Sequence, residues 1–250
     1  AHFPACFISL QMKYSLLLIM AFFGFARNGS AQVIATLTAP ATHNTMDIPV
    51  SINLDPVTLL PDSALVLQEV TGNRRTPVAF QIIPGEHRFL WWSIKSDGNT
   101  GKQRVYELVK GKAPAPGEAA VQLTDHDGAL LITNAGKKVL QYNYKTVYPP
   151  PGVDTVFKRS GFIHPLWSPA GNVLTRINAP DHYHHFGIWN PWTDVLFRGK
   201  IVDFWNLVKK EGTVRFVRFL SREQGPVFSG FTALQDHVVL NDPAGEQVGL

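Results

Sequence analysis

Short runs of alternating apolar and polar residues dominate this chain, and no long stretch carries a clean 3.6-residue apolar period. Ile48-Pro49-Val50-Ser51-Ile52-Asn53-Leu54 alternates in this way, as do Val121-Gln122-Leu123 and Val214-Arg215-Phe216. A period of two puts every second side chain on one face of a strand, so these runs predict half-buried strands. Turn-forming clusters separate them: Thr71-Gly72-Asn73, Ser96-Asp97-Gly98-Asn99, Asp127-Gly128, Asn134-Ala135-Gly136 and Asn241-Asp242-Pro243. The pattern therefore predicts an all-β protein, an antiparallel β-sandwich. One segment, Asp203 to Lys210, fits a short helix capped by Asp203 and fits a strand edge nearly as well.

One break in composition divides the pattern. Residues 113–118, Ala-Pro-Ala-Pro-Gly-Glu, have no apolar period and read as a linker. A small N-terminal sandwich is expected over 32–112 and a larger one over 119–250, of the general type seen in sugar mutarotases and polysaccharide lyases. A single continuous sandwich with a Pro-rich crossover is the alternative. Asp236 to Leu240 reads as a strand, Asn241 to Gly245 as a turn, and Glu246 to Leu250 as a return strand just beginning. That ending predicts further strands beyond Leu250, because a lone returning arm leaves an open edge.

The first 31 residues follow a different logic. Met12-Lys13 opens a basic region, Leu16 to Phe25 is almost wholly apolar, and Gly29-Ser30-Ala31 supplies the small residues a signal peptidase reads. We expect a secretory signal cleaved between Ala31 and Gln32, with residues 1–11 lying upstream of the initiator Met12. A buried N-terminal helix is the alternative. The apolar run is too short to span a bilayer, so the mature chain is expected to be exported, periplasmic or extracellular, without stable membrane insertion. Cleavage removes Cys6, the only cysteine, and with it any disulfide or thiolate chemistry. It also leaves 21 basic against 19 acidic residues, a net charge of +2 with no basic run, which gives no support to nucleic-acid binding.

The candidate chemistry is concentrated in Asp181-His182-Tyr183-His184-His185-Phe186-Gly187-Ile188-Trp189-Asn190-Pro191-Trp192. Three of the nine histidines lie within four residues there, and His164 stands upstream in Phe162-Ile163-His164-Pro165-Leu166-Trp167. Imidazole exchanges protons near neutral pH and ligates metals. On a strand, His182 and His184 share one face while Tyr183 and His185 share the other. A His-x-His pair can put two ring nitrogens on one metal ion, with a third ligand from Asp181, His164, Asp203 or His237. Without a metal, His164, His182, His184 and His185, with Asp181, are candidates for general acid and base work on a bound sugar. Trp167, Trp189, Trp192 and Trp205 offer apolar faces for sugar rings, although Trp189 and Trp205 equally suit a core. Lys158, Arg159, Arg176, Arg198 and Lys200 surround the segment and can bind a carboxylate, as in a uronic acid. A purely structural cluster is the third reading. Gly161 and Gly187 flank the candidates and are expected to serve a positive φ or a close backbone approach. His43, His87 and His126 read as isolated surface residues. Of Trp91-Trp92, one ring must face away from the first core.

Taken in order, Phe162-Ile163-His164-Pro165-Leu166, Ser168 to Arg176, Asp181 to Trp189 and Val202-Asp203-Phe204-Trp205 resemble a family of exported bacterial proteins. That family, common in Bacteroidetes and Planctomycetes, has carried the label methane oxygenase PmoA, or PmoA-like. The resemblance covers about Tyr142 to Leu240, and Asp-x-x-His-His is its most specific part. The usual form has Pro where Tyr183 stands and Arg where Phe186 stands. The label implies a copper-dependent, methane-oxidising membrane enzyme, whereas the family's secreted context implies polysaccharide breakdown.

From these readings we expect an exported carbohydrate-active protein, a lyase, hydrolase or epimerase working on a sugar or uronic acid. Its catalytic candidates are His164, His182, His184, His185 and Asp181, and its substrate-binding candidates are Trp189, Trp192, Arg176 and Trp167. The alternatives are a copper-, iron- or zinc-dependent oxidoreductase with His182 and His184 as ligands, and a non-catalytic sugar-binding module.

Overall fold

The computed structural model describes residues 32–39, 46–96, 103–112 and 121–248. The expected signal segment and its cleavage site, Cys6, His43, the turn residues Asp97 to Asn99 and the 113–118 linker lie outside the described residues. Among the described residues all regular structure is antiparallel strand, apart from three single turns of 3-10 helix. None of their helices is long and apolar enough to cross a membrane. The chain divides into two compact units, residues 1–118 and 119–250.

The first unit is a sandwich of two sheets. Its strands are β1 (Val33–Ala39), β2 (Ile48–Asn53), β3 (Leu65–Thr71), β4 (Arg74–Pro77), β5 (Phe80–Ile83), β6 (Phe89–Ile94) and β7 (Arg104–Lys110). They order as β1-β7-β3-β4 and β2-β6-β5. Alternate residues supply the core: Leu65 and Leu67 from β3, Leu90, Trp92 and Ile94 from β6, Tyr106 and Leu108 from β7. Burying each of these large side chains contributes about 1.5–3 kcal/mol. Trp92 is fully buried edge-on to Tyr106, with ring centroids 5.5 Å apart, while its neighbour Trp91 faces the other way and stays half-buried. The Thr71-Gly72-Asn73 turn closes the β3–β4 hairpin, with Gly72 at φ 58°.

The second unit contains β8 (Val121–His126), β9 (Ala129–Asn134), β10 (Lys137–Asn143), β11 (Phe162–Leu166), β12 (Ile177–Ala179), β13 (His182–Phe186), β14 (Val195–Phe197), β15 (Lys200–Val202), β16 (Gly212–Gln224), β17 (Ser229–Val239) and β18 (Gln247–Val248). The sheet β11-β10-β9-β8 begins with two tight hairpins. Asp127 and Gly128, then Ala135 and Gly136, all have positive φ, as a turn matched to strand twist requires. The long β16–β17 hairpin packs against this sheet through aromatic rings. Tyr142 lies 4.5 Å from Phe231 and Tyr144 lies 5.4 Å from Phe216, centroid to centroid. Gln235 ties the layers together by donating to Tyr142 Oη and to the Gly161 carbonyl.

The segment Asp203 to Lys210 combines the two forms left open by its sequence. β15 ends at Val202, and the Asp203 carboxylate then accepts the N–H groups of Trp205 and Asn206. This local bonding competes with a helix. Only Leu207–Lys209 forms a 3-10 turn, capped by Asn206 and ended by Lys210 at φ 55°. The return strand after Asn241-Asp242-Pro243 is β18, which pairs Val248 with Val238 on β17.

Candidate functional site

The short hairpin β12–β13 carries the histidine cluster. Ala179 pairs with His182 across Pro180-Asp181, where proline presets the first corner of the turn. Two positive-φ residues break its regularity, Asn178 at 56° inside β12 and Gly187 at 50° just after β13, and the register shifts between Ile177 and Ala179. Gly187 has no room for a side chain, since a Cβ there would stand 2.2 Å from the Ile163 carbonyl oxygen. This close approach lets β13 continue into a bridge between Ile188 and Ile163. Gly161 is required chiefly by its φ of 74°, since the atom nearest to an added Cβ is the side-chain amide of Gln235.

The irregular hairpin corrects one expectation. Strict alternation puts His185 on the face opposite His182 and His184, but all three rings meet. Their centroids are separated by 5.6 Å (His182–His184), 4.9 Å (His182–His185) and 4.4 Å (His184–His185). A strand this short, bulged at one end and turned at Gly187, does not keep the flat two-residue repeat. Tyr183 does go elsewhere, with its ring 5.7 Å from Phe157. Phe186 is fully buried against Phe162 and anchors the hairpin.

Indoles extend the cluster. His185 lies 5.7 Å from Trp189 and 5.9 Å from Trp205, and these two rings lie 4.7 Å apart. Beneath them is Arg159, only 2 % exposed, whose guanidinium carbon is 5.7 Å from the Phe186 ring and 5.9 Å from Trp189. Its Nη2 donates to the Phe204 carbonyl, while its Nε and Nη1 have no partner among the described residues. Burial pushes the Arg159 pKa down to about 10. His184 is held below the usual histidine range, first by burial and then by the positive charge of His185, His182 and Arg159; Asp203 opposes this weakly.

The other candidates occupy distinct surroundings. Asp181 accepts from His182 Nδ1 at 3.0 Å, and both side chains are well exposed. That hydrogen bond, with weaker help from Arg176, holds the Asp181 carboxyl below its ordinary value. Arg176 itself is exposed, and its carbonyl accepts from Gly187 N–H. The ring contacts joining His182, His184 and His185 do not extend to His164, whose Nδ1 is 2.9 Å from Thr175 Oγ1. The turn at Ser168 to Asn172 returns the chain to His164 at Thr175. Burial lowers the His164 pKa. Trp167 lies away from the cluster, beneath Lys138, and lines a separate cavity of ≈ 760 Å³ with Lys137, Ser168 and Pro169.

Trp192 is 42 % exposed and stacks on His237, with centroids 4.4 Å apart and planes 22° apart. His237 is buried, meets Phe204 edge-on at 5.0 Å, and is lowered mainly by burial, with a hydrogen bond to the Asn190 backbone opposing. Asp203 is also buried. Burial pushes its carboxyl up, but Lys209 at 2.8 Å and the Asn206 and Trp205 N–H groups outweigh this and leave it lowered. Among the described residues, no group of three or more His, Cys, Asp and Glu side chains is placed to hold a metal ion. His87 and His126 are exposed, each beside an aspartate.

The sequence offers Arg159 and His237 without distinguishing them from neighbouring candidates. Arg159 was one of five nearby cations, and only a fold decides which cation is buried. Residues 129–248 match a family described as a family of unknown function (DUF6807), a span just under half of the chain that contains every residue of this cluster. No curated protein and no solved structure matches the chain.

Proposed function

We propose that the second unit is the working part of an exported carbohydrate-active protein, periplasmic or extracellular. In this reading it acts on a sugar or uronic acid, as a lyase, hydrolase or epimerase, with imidazole as acid and base. One observation carries the proposal: three imidazoles in mutual contact, set against the paired rings of Trp189 and Trp205. Sugar C–H faces stack on such rings, and polar groups at the edge orient them. His184 is the base in this scheme, because its lowered pKa keeps it neutral and able to accept a proton at pH 7. Asp181 takes the Nδ1–H of His182, which selects the tautomer of that ring and leaves Nε2 for exchange. The exposed Trp192 face supplies a second platform.

The test separates binding from turnover. Oligosaccharide binding is measured by calorimetry, and bond cleavage or epimerisation by product analysis, for the wild type, His184→Ala and Trp192→Ala. His184→Ala should abolish turnover and leave binding largely intact, and Trp192→Ala should weaken binding. Binding without turnover under any condition would turn the reading into a sugar-binding module. Stoichiometric copper, iron or zinc that survives dialysis and disappears in His184→Ala would replace it with a metal-dependent oxidoreductase. Variants that lose only thermal stability, with no sugar bound by the wild type, would make the cluster part of the fold.

A further inference from the structure

Arg159 is the least explained charge in the second unit. It is 2 % exposed, and among the described residues its Nε and Nη1 are unpaired and no carboxylate serves it. The surrounding acids are engaged elsewhere: Asp203 with Lys209, Glu211 with the Asp203 backbone N–H, Asp154 with Lys210, and Glu246 bidentately with Arg215. The Nε1 donor of Trp189, whose ring lies over the guanidinium, is also buried without a partner among the described residues. Buried donors are almost always satisfied, so two unpaired guanidinium N–H positions beside an unpaired indole N–H are the complement of an acceptor.

Arg159 also lines a cavity of ≈ 490 Å³ together with Lys158, Lys210, Arg215, Asp154 and Glu246. Four cations against two acids give this lining a positive balance. Because both acids are already paired with Lys210 and Arg215, Lys158 and Arg159 carry the excess. Arg159 thus belongs both to a positively charged cavity and to the floor of the imidazole and indole cluster.

We propose that Arg159 recognises the carboxylate of an acidic sugar, receiving a uronic-acid group on Nε and Nη1. The planar fork matches the two oxygens of a carboxylate, and the apolar surroundings strengthen the pairing. His237, whose Nε2 is unpaired nearby, adds a further donor when protonated, a state that a bound anion favours. The proposal rests on the carbohydrate reading and narrows it to anionic sugars.

The experiment is calorimetric titration of the full chain with three probes of equal length: a hexuronic-acid oligosaccharide, its carboxyl-reduced counterpart, and a sulfated neutral oligosaccharide. The wild type should bind the uronic acid at least about ten-fold more tightly than the reduced form, equivalent to about 1.4 kcal/mol. Arg159→Met should bring that ratio to about one, and Arg159→Lys should restore part of it as a point charge without the fork. The wild-type ratio stands whether or not either variant folds. Equal affinity of the wild type for the acidic and reduced probes would overturn the assignment of Arg159 and leave the carbohydrate reading intact. Preference for the sulfated probe over the uronic acid would overturn the carboxylate assignment. Failure to bind any probe would overturn the carbohydrate reading and this inference with it.

Discussion

Replacing Arg159 by methionine should stabilise the ligand-free protein. Burial lowers the guanidinium pKa from its ordinary value to about 10, a depression that reflects how much the charged form prefers the unfolded, hydrated chain. At 1.36 kcal/mol per pH unit, carrying this charge into the fold costs about 3 kcal/mol. Because the folded value is depressed and the group is a base, the cost is fully present below about pH 10 and is relieved only as pH rises from there toward the ordinary arginine range. Methionine is unbranched and apolar, of similar reach, and keeps sulfur–aromatic contact with Phe186 and Trp189. Against the gain stands the lost hydrogen bond to the Phe204 carbonyl, about 1–2 kcal/mol with the acceptor left unpaired. The net is about 1–2 kcal/mol of stabilisation, or a rise in Tm of roughly 3–6 °C for a unit of this size. Thermal melting of the wild type and Arg159→Met between pH 7 and 9 reads this directly, and the difference should not vary across that range. A fall in Tm of several degrees would refute the reasoning, because ring contacts and the single hydrogen bond would then outweigh the burial of the charge. A stabilising substitution that removes function is what a site held in a costly state predicts.

Three further outcomes follow. His164, His184 and His237 all have pKa values lowered in the folded state, so the unfolded chain binds more protons below about pH 6.5; stability should fall from pH 6.5 toward 5, above the carboxylate range, and His237→Gln should flatten that decline in a Tm series against pH. Gly187→Ala should destabilise by about 2–4 kcal/mol in denaturant unfolding, because alanine meets the Ile163 carbonyl at a backbone φ of 50°; a loss under about 1 kcal/mol would mean the β11–β13 contact yields easily. Trp192→Ala should weaken oligosaccharide binding in calorimetry by about 1–2 kcal/mol and also lower Tm, since one face of its ring covers the buried His237; an unchanged affinity would remove it from the binding surface.

Local signals made much of the architecture legible in advance. The alternation in Ile48 to Leu54 became β2, and Asp127-Gly128 and Asn134-Ala135-Gly136 became hairpin turns, because strand period and positive φ are properties of a few adjacent residues. The requirement for glycine at positions 161 and 187 was equally local in origin, a positive φ at both, although only the packed structure adds the Ile163 carbonyl as a backbone obstacle at 187. The side-chain directions in the histidine strand were not legible. Alternation separated His185 from His182 and His184, and a register shift near Asn178 with a turn at Gly187 brought the three together. Nor did the sequence distinguish Arg159 from Arg176, Arg198, Lys158 or Lys200. A cation's cost and its use depend on what surrounds it, and Arg159 is surrounded by Phe186, Trp189 and the Phe204 carbonyl, residues 27 to 45 positions away. Composition and periodicity determine which segments become strands and where the candidate chemistry is concentrated. Tertiary packing alone decides which of those charges leaves water without a carboxylate beside it among the described residues, because burial is a sum over distant neighbours that no local pattern encodes.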